Sequence, residues 1–215
     1  PLGKSRVETL CLLVLGMISA RTVNLTHIAA EPPARAKVAS TYRRLQRFFQ
    51  HVILPEDWSV GIVMALIGNR DRWYLCLDRT NWKIGKSDVN VLVLAVVTER
   101  YRVPLMWTFL NHSGNSTTQQ RIALMRRYLA RFNASTVRMF LADREFIGQE
   151  WFKFLKDENI PFAIRVKEDH LIVVEGREYS LRSYLSRCKG ERGFTATFPA
   201  KAGQPALELH FGARR

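Results

Sequence analysis

The spacing of apolar positions changes part-way along the chain. Up to about residue 70 it is helical. Val7–Ala20 is strongly apolar and predicts a helix, and Pro32-Pro33 breaks the chain before a second one. In that second helix Val38, Tyr42, Leu45, Phe49 and Val52 recur at steps of three and four, an apolar stripe along one face. Arg43, Arg44 and Arg47 fall off the stripe and face either solvent or a phosphate backbone. A third helix is expected over Pro55–Ile67, with Pro55 suited to its first turn.

Beyond this the pattern becomes strand-like. Trp73–Leu77 is a short run of β-formers ending at Asp78, and a turn-like segment from Lys83 to Ser87 leads into the buried strand Val89–Val97. Val103–Leu110 reads as a third strand, entered through a proline suited to a strand start. Asn115-Ser116-Thr117 then caps a helix with Ile122, Met125, Leu129 and Phe132 inward and Arg121, Arg126, Arg127 and Arg131 outward. Val137–Ala142 is a fourth strand ending at Asp143, Gly148–Glu158 a helix, and Phe162–Val166 a fifth strand.

The order β-β-β-α-β-α-β predicts an α/β fold in which a meander feeds crossovers into one mixed sheet covered by helices. That is the element order of the ribonuclease-H-like fold. Three regions follow: a helical region over 1–70 that is a candidate for DNA binding, a ribonuclease-H-like core over 71–168, and the start of a β-rich insertion over 169–215. Leu171–Val174, Phe194–Phe198 and Leu207–Phe211 are the short β-like pieces of that insertion, read as separate and all-β and as cut off at Arg215. A first residue Pro1 in place of Met likewise marks a piece of a longer chain.

Composition narrows the function. The 215 residues carry 33 Lys+Arg against 19 Asp+Glu, a net charge of +14. Such an excess concentrates polyanions, DNA or RNA first, with anionic membrane surfaces and ribosomal association as the other readings. Cys11, Cys76 and Cys188 form no C-x-x-C pair, so they support neither a zinc site nor a disulfide framework and fit a reducing compartment. Leu10–Ile18, behind Lys4 and Arg6, is either a buried helix or a signal-peptide core, and is too short to span a bilayer. His27, His51, His112, His170 and His210 show no ligand spacing.

Asp78 and Asp143 occupy matching places, each after an apolar strand and each followed by Arg. If the two strands are neighbours the carboxylates converge, and two anions about 4 Å apart repel by around 4 kcal/mol at an effective dielectric near 20. A divalent cation reverses that penalty, and carboxylate oxygens suit hard Mg²⁺. The plainer reading makes each Asp a turn starter or helix cap, or a partner of its neighbouring Arg.

Here the chain resembles the DDE transposases of bacterial insertion sequences, specifically the insertion-sequence-four type. The resemblance rests on Leu77-Asp78-Arg79-Thr80-Asn81-Trp82 with Gly85-Lys86, on Asn90 to Val97, on Pro104-Leu105-Met106-Trp107 and on Gly114-Asn115-Ser116. Its most specific part is Leu141-Ala142-Asp143-Arg144-Glu145-Phe146-Ile147-Gly148 with Trp151, extended by Ile160-Pro161-Phe162, Ile164-Arg165 and Lys167. It covers roughly residues 5–175.

The resemblance implies an enzyme that uses magnesium or manganese, two ions in the complete site, to cut DNA at the element's ends and join the 3′ hydroxyls to target DNA. Asp78 is then the first metal-binding catalytic aspartate and Asp143 the second. The third carboxylate, a Glu within a Tyr-x-x-Arg-x-x-x-Glu-x-x-x-x-x-x-Lys pattern, has no match in this chain, and Glu145 and Glu150 are poor substitutes. It further implies double-stranded DNA as partner, a homodimer on paired ends, a cytoplasmic, nucleoid-associated location in a bacterium, and neither a membrane nor a small-molecule cofactor. Candidate DNA contacts are Arg79, Lys83, Lys86, Arg144, Arg165 and Lys167, with Arg43, Arg44 and Arg47 in the helical region. Asn81 and Trp82 are candidates for a base or ribose, Trp82 being alternatively a core residue. A nuclease of the same fold that does not join strands, and a catalytically dead DNA-binding remnant, are the competing readings.

Overall fold

Two compact units, Pro1–Trp58 and Ser59–Arg215, make up the chain. The computed structural model describes residues 2–31, 37–68, 71–199 and 206–214. The expected break at Pro32-Pro33 lies outside the described residues.

In the first unit, α1 (Lys4–Ala20), α2 (Leu25–Ala30) and α3 (Val38–His51) surround a small core of Leu13, Ile28, Ala29 and Leu45. The short α2 escapes the periodicity argument, though its start is written locally: the Asn24 side chain accepts from the Thr26 amide at 2.9 Å. α1 is helical as expected but buries only Thr9, Leu13 and Gly16, one narrow stripe. The buried face of α3 also differs from expectation. It is Thr41, Leu45 and Phe48, while Val38 and Phe49 are exposed. Thr41 keeps helical spacing with Leu45, but its hydroxyl hides it from a hydrophobic count, and the apparent stripe rotates accordingly.

The second unit opens with α4 (Val60–Ile67), later than Pro55 because residues 56–59 form a turn in which the Trp58 amide reaches the Pro55 carbonyl at 3.2 Å. The strands β1 (Trp73–Ile84), β2 (Ser87–Val97) and β3 (Arg102–Leu110) form an antiparallel meander, and α4 packs along β3. After α5 (Thr118–Leu129) comes β4 (Val137–Ala142), parallel to β1; after α6 (Gln149–Asp157) comes β5 (Phe162–Ile164), parallel to β4. The resulting order, β3-β2-β1-β4-β5, is that of the ribonuclease-H-like fold.

Local chemistry explains the boundaries. β1 does not stop at Asp78 as expected; it continues to Ile84, paired residue by residue with β2 as far as Ser87. Gly85, at φ +61, supplies the left-handed position of the two-residue turn between them. Pro104 lies inside β3, tolerated at a bulge where the register slips between Leu94 and Ala95. α5 begins with a full capping box, in which the Thr117 hydroxyl takes the Gln120 amide and the Gln120 side chain returns to the Thr117 amide.

One core spans this unit. It joins Leu75, Leu77, Leu92, Leu94 and Phe140 of the sheet with Met125 and Tyr128 of α5 and Trp151 and Leu155 of α6. The segment after residue 168 is neither separate nor all-β. Its strands β6 (Leu171–Val174), β7 (Arg177–Ser180), β8 (Glu191–Phe198) and β9 (Leu207–Arg214) form an antiparallel sheet in the order β7-β6-β8-β9, with the helix α7 (Leu181–Tyr184) between β7 and β8. Ile172, Leu181, Ala196, Phe198 and Phe211 belong to the same core as the first sheet.

Candidate active site

The parallel ladder of β1 and β4 pairs Leu77 with Ala142, both buried. Asp78 and Asp143 each follow by one residue. Alternation turns Asp78 to the sheet face opposite Leu77, and Asp143 stands just beyond the end of the neighbouring strand. Both line one cavity of about 1030 Å³, whose other walls include Phe152 of α6, Phe198 of β8 and Phe211 of β9.

The two carboxylates are held alike. Asp78 Oδ1 accepts from the Arg79 amide at 2.8 Å, and Asp143 Oδ1 accepts from the Arg144 amide at 2.8 Å. Asp143 thereby caps a single 3₁₀ turn over Arg144–Phe146. These bonds orient each Asp through backbone, not through the neighbouring guanidinium. The guanidinium paired with Asp143 is that of Arg165, whose Nη1 lies 3.6 Å from Asp143 Oδ1. Two residues before Asp78, burial raises the Cys76 thiol above its ordinary pKa; Arg102 opposes this and the Asp78 charge adds to it.

The opposite face of β1 has a different chemistry. Arg79 grips Glu145 there and donates to Asn90 Oδ1 at 3.3 Å; Asn90, 4% exposed, holds the carbonyls of His112 and Gly114 at 2.9 Å each. Arg121 was expected on the outer side of its helix. It is instead 5% exposed, bonded to Ser116 Oγ at 3.0 Å, the Ser116 carbonyl at 2.6 Å and the Glu145 carbonyl at 3.2 Å, with Phe146 beneath it. Burial pulls its pKa down and the Glu145 charge pulls it back up.

Among the described residues no three His, Cys, Asp or Glu side chains gather as a metal cage. Asp78 and Asp143 do fit a weaker kind of site. Magnesium is commonly held by one or two carboxylates, with waters and substrate phosphate filling its other positions. Glu145 does not join them, because Arg79 occupies its carboxylate on the other face.

The other expected contacts divide by environment. Asn81, Trp82, Lys83 and Lys86 are exposed on the β1–β2 hairpin; Arg144, Arg165 and Lys167 are exposed near the carboxyl ends of β4 and β5. Trp82 is thus not a core residue. In the first unit Arg43 and Arg47 are exposed, but Arg44 is half-buried, donating to Thr9 Oγ1 at 2.7 Å and the Ser5 carbonyl at 3.0 Å beside Glu8. Sequence reasoning missed Phe109, exposed beside the same hairpin, and Arg102 and Arg214 on the cavity wall. The two-residue alternation of Trp107 and Phe109 was the available signal for the first. No helix among the described residues is long and apolar enough to cross a membrane.

No family model and no curated protein matches the chain. Several solved structures are similar, among them the following two. A chain in the cryo-electron-microscopy structure of the simian T-cell lymphotropic virus intasome in complex with the PP2A regulatory subunit B56 gamma aligns at 11% identity and a TM-score of 0.37, over 59% of this chain. The HTLV-2 integrase catalytic core domain in complex with magnesium, a dimeric form, aligns at 14% identity and a TM-score of 0.34, over 45% of this chain. The alignments span 43% and 63% of those two chains. The fold assignment itself stands on strand order and strand direction.

Proposed function

We propose that this chain is part of a metal-dependent DNA transposase of the DDE type, akin to those of bacterial insertion sequences, in which residues 1–70 contribute DNA binding, 71–168 the catalytic core and 169–215 an insertion. The observation that carries the reading is that Asp78 and Asp143 each follow the adjacent parallel pair Leu77 and Ala142 and both line one cavity. The basic side chains around them suit a phosphodiester backbone.

Magnesium or manganese held there would supply charge for an in-line phosphoryl displacement. Asp78 and Asp143 would provide its oxygen ligands, oriented by the Arg79 and Arg144 amides. Arg165 and Lys167 hold the strand's phosphates, and Lys83 and Lys86 meet DNA further along the hairpin. The attacking group is water in the cutting step and a DNA 3′ hydroxyl in the joining step. A second ion would need a further carboxylate beside these two, and the working assembly is a dimer on paired ends.

The test is manganese-dependent cleavage and strand transfer by the full-length protein. Wild-type protein yields cut and joined products, and Asp78→Asn or Asp143→Asn yields neither; wild-type rates in either variant reject the assignment. Cut but unjoined product identifies a nuclease. A second reading, a DNA-binding remnant without catalysis, draws on the engagement of Glu145 by Arg79. Salt-sensitive DNA binding without cleavage by the full-length protein would establish it.

A further inference from the structure

The face of the sheet that bears Asp78 also bears a row of aromatic side chains. Along β1, alternation puts Asp78, Thr80 and Trp82 on one face. The register carries that face across the meander: Asp78 pairs with Val93 and Val93 with Trp107, while Thr80 pairs with Val91 and Val91 with Phe109. The opposite face of β3 is the one covered by α5, since Arg127 donates to Thr108 Oγ1 at 2.8 Å. Trp82 is 46% exposed and Phe109 is 62% exposed, although Val91 between their strands is buried. Lys83 and Lys86 sit at the hairpin turn, with Asp88 opposite Lys83, and Arg144 and Arg165 sit at the aspartate end.

We infer that this aromatic face is a stacking platform for unpaired DNA nucleotides next to the scissile phosphate, with Trp82 and Phe109 as its rings. The inference rests on the DNA-processing reading above and specifies the form in which the site takes its DNA. In a duplex the base faces are hidden in the stack, and the surface offered to a protein is phosphate and groove edge. Exposed flat rings gain little from that surface but much from a splayed base, whose π-face they cover. Trp82 lies four residues from Asp78, about 13 Å at strand rise. That distance is about four nucleotide steps at the 3.4 Å duplex rise, so the platform sits within reach of a strand whose phosphate lies at the aspartates.

The experiment compares the affinity of the full chain for a short labelled oligothymidylate with that for a labelled duplex, by fluorescence anisotropy. Trp82→Ala weakens the single-strand complex roughly 5–150-fold, the range of one lost base stack, and lowers the ratio of single-strand to duplex affinity. Phe109→Ala lowers the ratio in the same direction. Trp82→Tyr, which keeps a ring on the strand, retains most of it and guards against misreading a folding defect. Tyr101→Ala, an exposed aromatic at the far end of the β2–β3 hairpin, leaves the ratio where it was. An unchanged ratio in Trp82→Ala and Phe109→Ala overturns the platform while leaving the DNA reading intact. Wild-type protein that binds neither oligonucleotide overturns both.

Discussion

Arg79 closes a fork on Glu145, with Nε to Oε1 at 3.2 Å and Nη2 to Oε2 at 3.1 Å. Both side chains are mostly shielded, 16% and 25% exposed, so the pair acts in a medium where charge-assisted bonds are strong and a lone charge is costly. Its position matters more than its energy. The fork ties the middle of the 3₁₀ turn after Asp143 to the residue after Asp78, so the backbones carrying both carboxylates are fastened from behind.

Removing one partner should therefore cost more than removing both. Arg79→Met or Glu145→Leu alone leaves a charge with poor solvation and destabilises by about 2–3 kcal/mol. The double substitution costs less than the sum, and a double-mutant cycle by urea unfolding reads the coupling directly. Arg79→Lys should behave like a loss, because an ammonium cannot reproduce the planar fork. Strict additivity would show that the fork contributes nothing.

Two helical glycines respond in opposite directions to the same change. A Cβ on Gly16 of α1 would lie 2.6 Å from Ile28 Cγ2 and 3.3 Å from the Ile28 carbonyl. The steric cost of 1–3 kcal/mol expected for overpacking then outweighs a helix-propensity gain of about 1 kcal/mol, so Gly16→Ala lowers the stability of the first unit. Gly61 of α4 has nothing within 4 Å of the same position. Gly61→Ala should stabilise by about 0.5–1 kcal/mol. Circular dichroism melts of the two variants settle both signs.

Much of this architecture is legible in the chain, and what is not has physical causes. The buried strand Val137–Ala142 announces itself through its apolar run, and the capping box of α5 through Thr117 and Gln120. The second half of β1 does not, because Arg79, Thr80, Asn81 and Lys83 look like loop and are held in the strand only by β2. β7, Arg-Glu-Tyr-Ser, has no apolar alternation of its own and exists by pairing with β6. Arg121 reads as surface, since its partners, the carbonyls of Ser116 and Glu145, are invisible to periodicity. In the candidate site each Asp stands out in the sequence only as the polar residue after an apolar run, and Asp78 proves to lie inside β1. The faces of Trp82 and Phe109 and the partner of Arg79 required the register.

Tyr128 sets an alkaline limit. Its hydroxyl accepts from Trp73 Nε1 at 2.8 Å and shares a hydrogen bond with Thr136 Oγ1 at 2.7 Å. Burial raises the phenol above its ordinary value of 10.0, the two hydrogen bonds opposing that shift in part. A folded-state pKa above the unfolded one contributes stability that is complete below pH 10.0 and drains as pH climbs toward the folded value, because the unfolded chain releases the proton first. Tyr128→Phe leaves the Trp73 indole without its acceptor and costs about 1–3 kcal/mol at neutral pH. It also removes the titration. The stability gap between wild type and variant should stay constant up to about pH 9 and narrow above it; a gap that widens there contradicts the assignment.

The sharpest test of the aspartates does not need catalysis. Asp78 and Asp143 carry like charges on neighbouring strands, and both are exposed, so their repulsion is screened to about 1 kcal/mol or less. Asp78→Asn removes that repulsion while keeping an oxygen able to accept from the Arg79 amide. In chelator the variant should thus be slightly more stable than wild type. Manganese reverses the order. A ligand that binds only the folded state stabilises by RT ln(1 + [L]/Kd), about 2.7 kcal/mol at a hundredfold excess over Kd, and the variant forfeits most of this. Thermal unfolding of both proteins with chelator and with millimolar manganese reads the crossing directly. Equal manganese shifts in wild type, Asp78→Asn and Asp143→Asn would mean that the cation binds elsewhere, and the two carboxylates would lose their metal role.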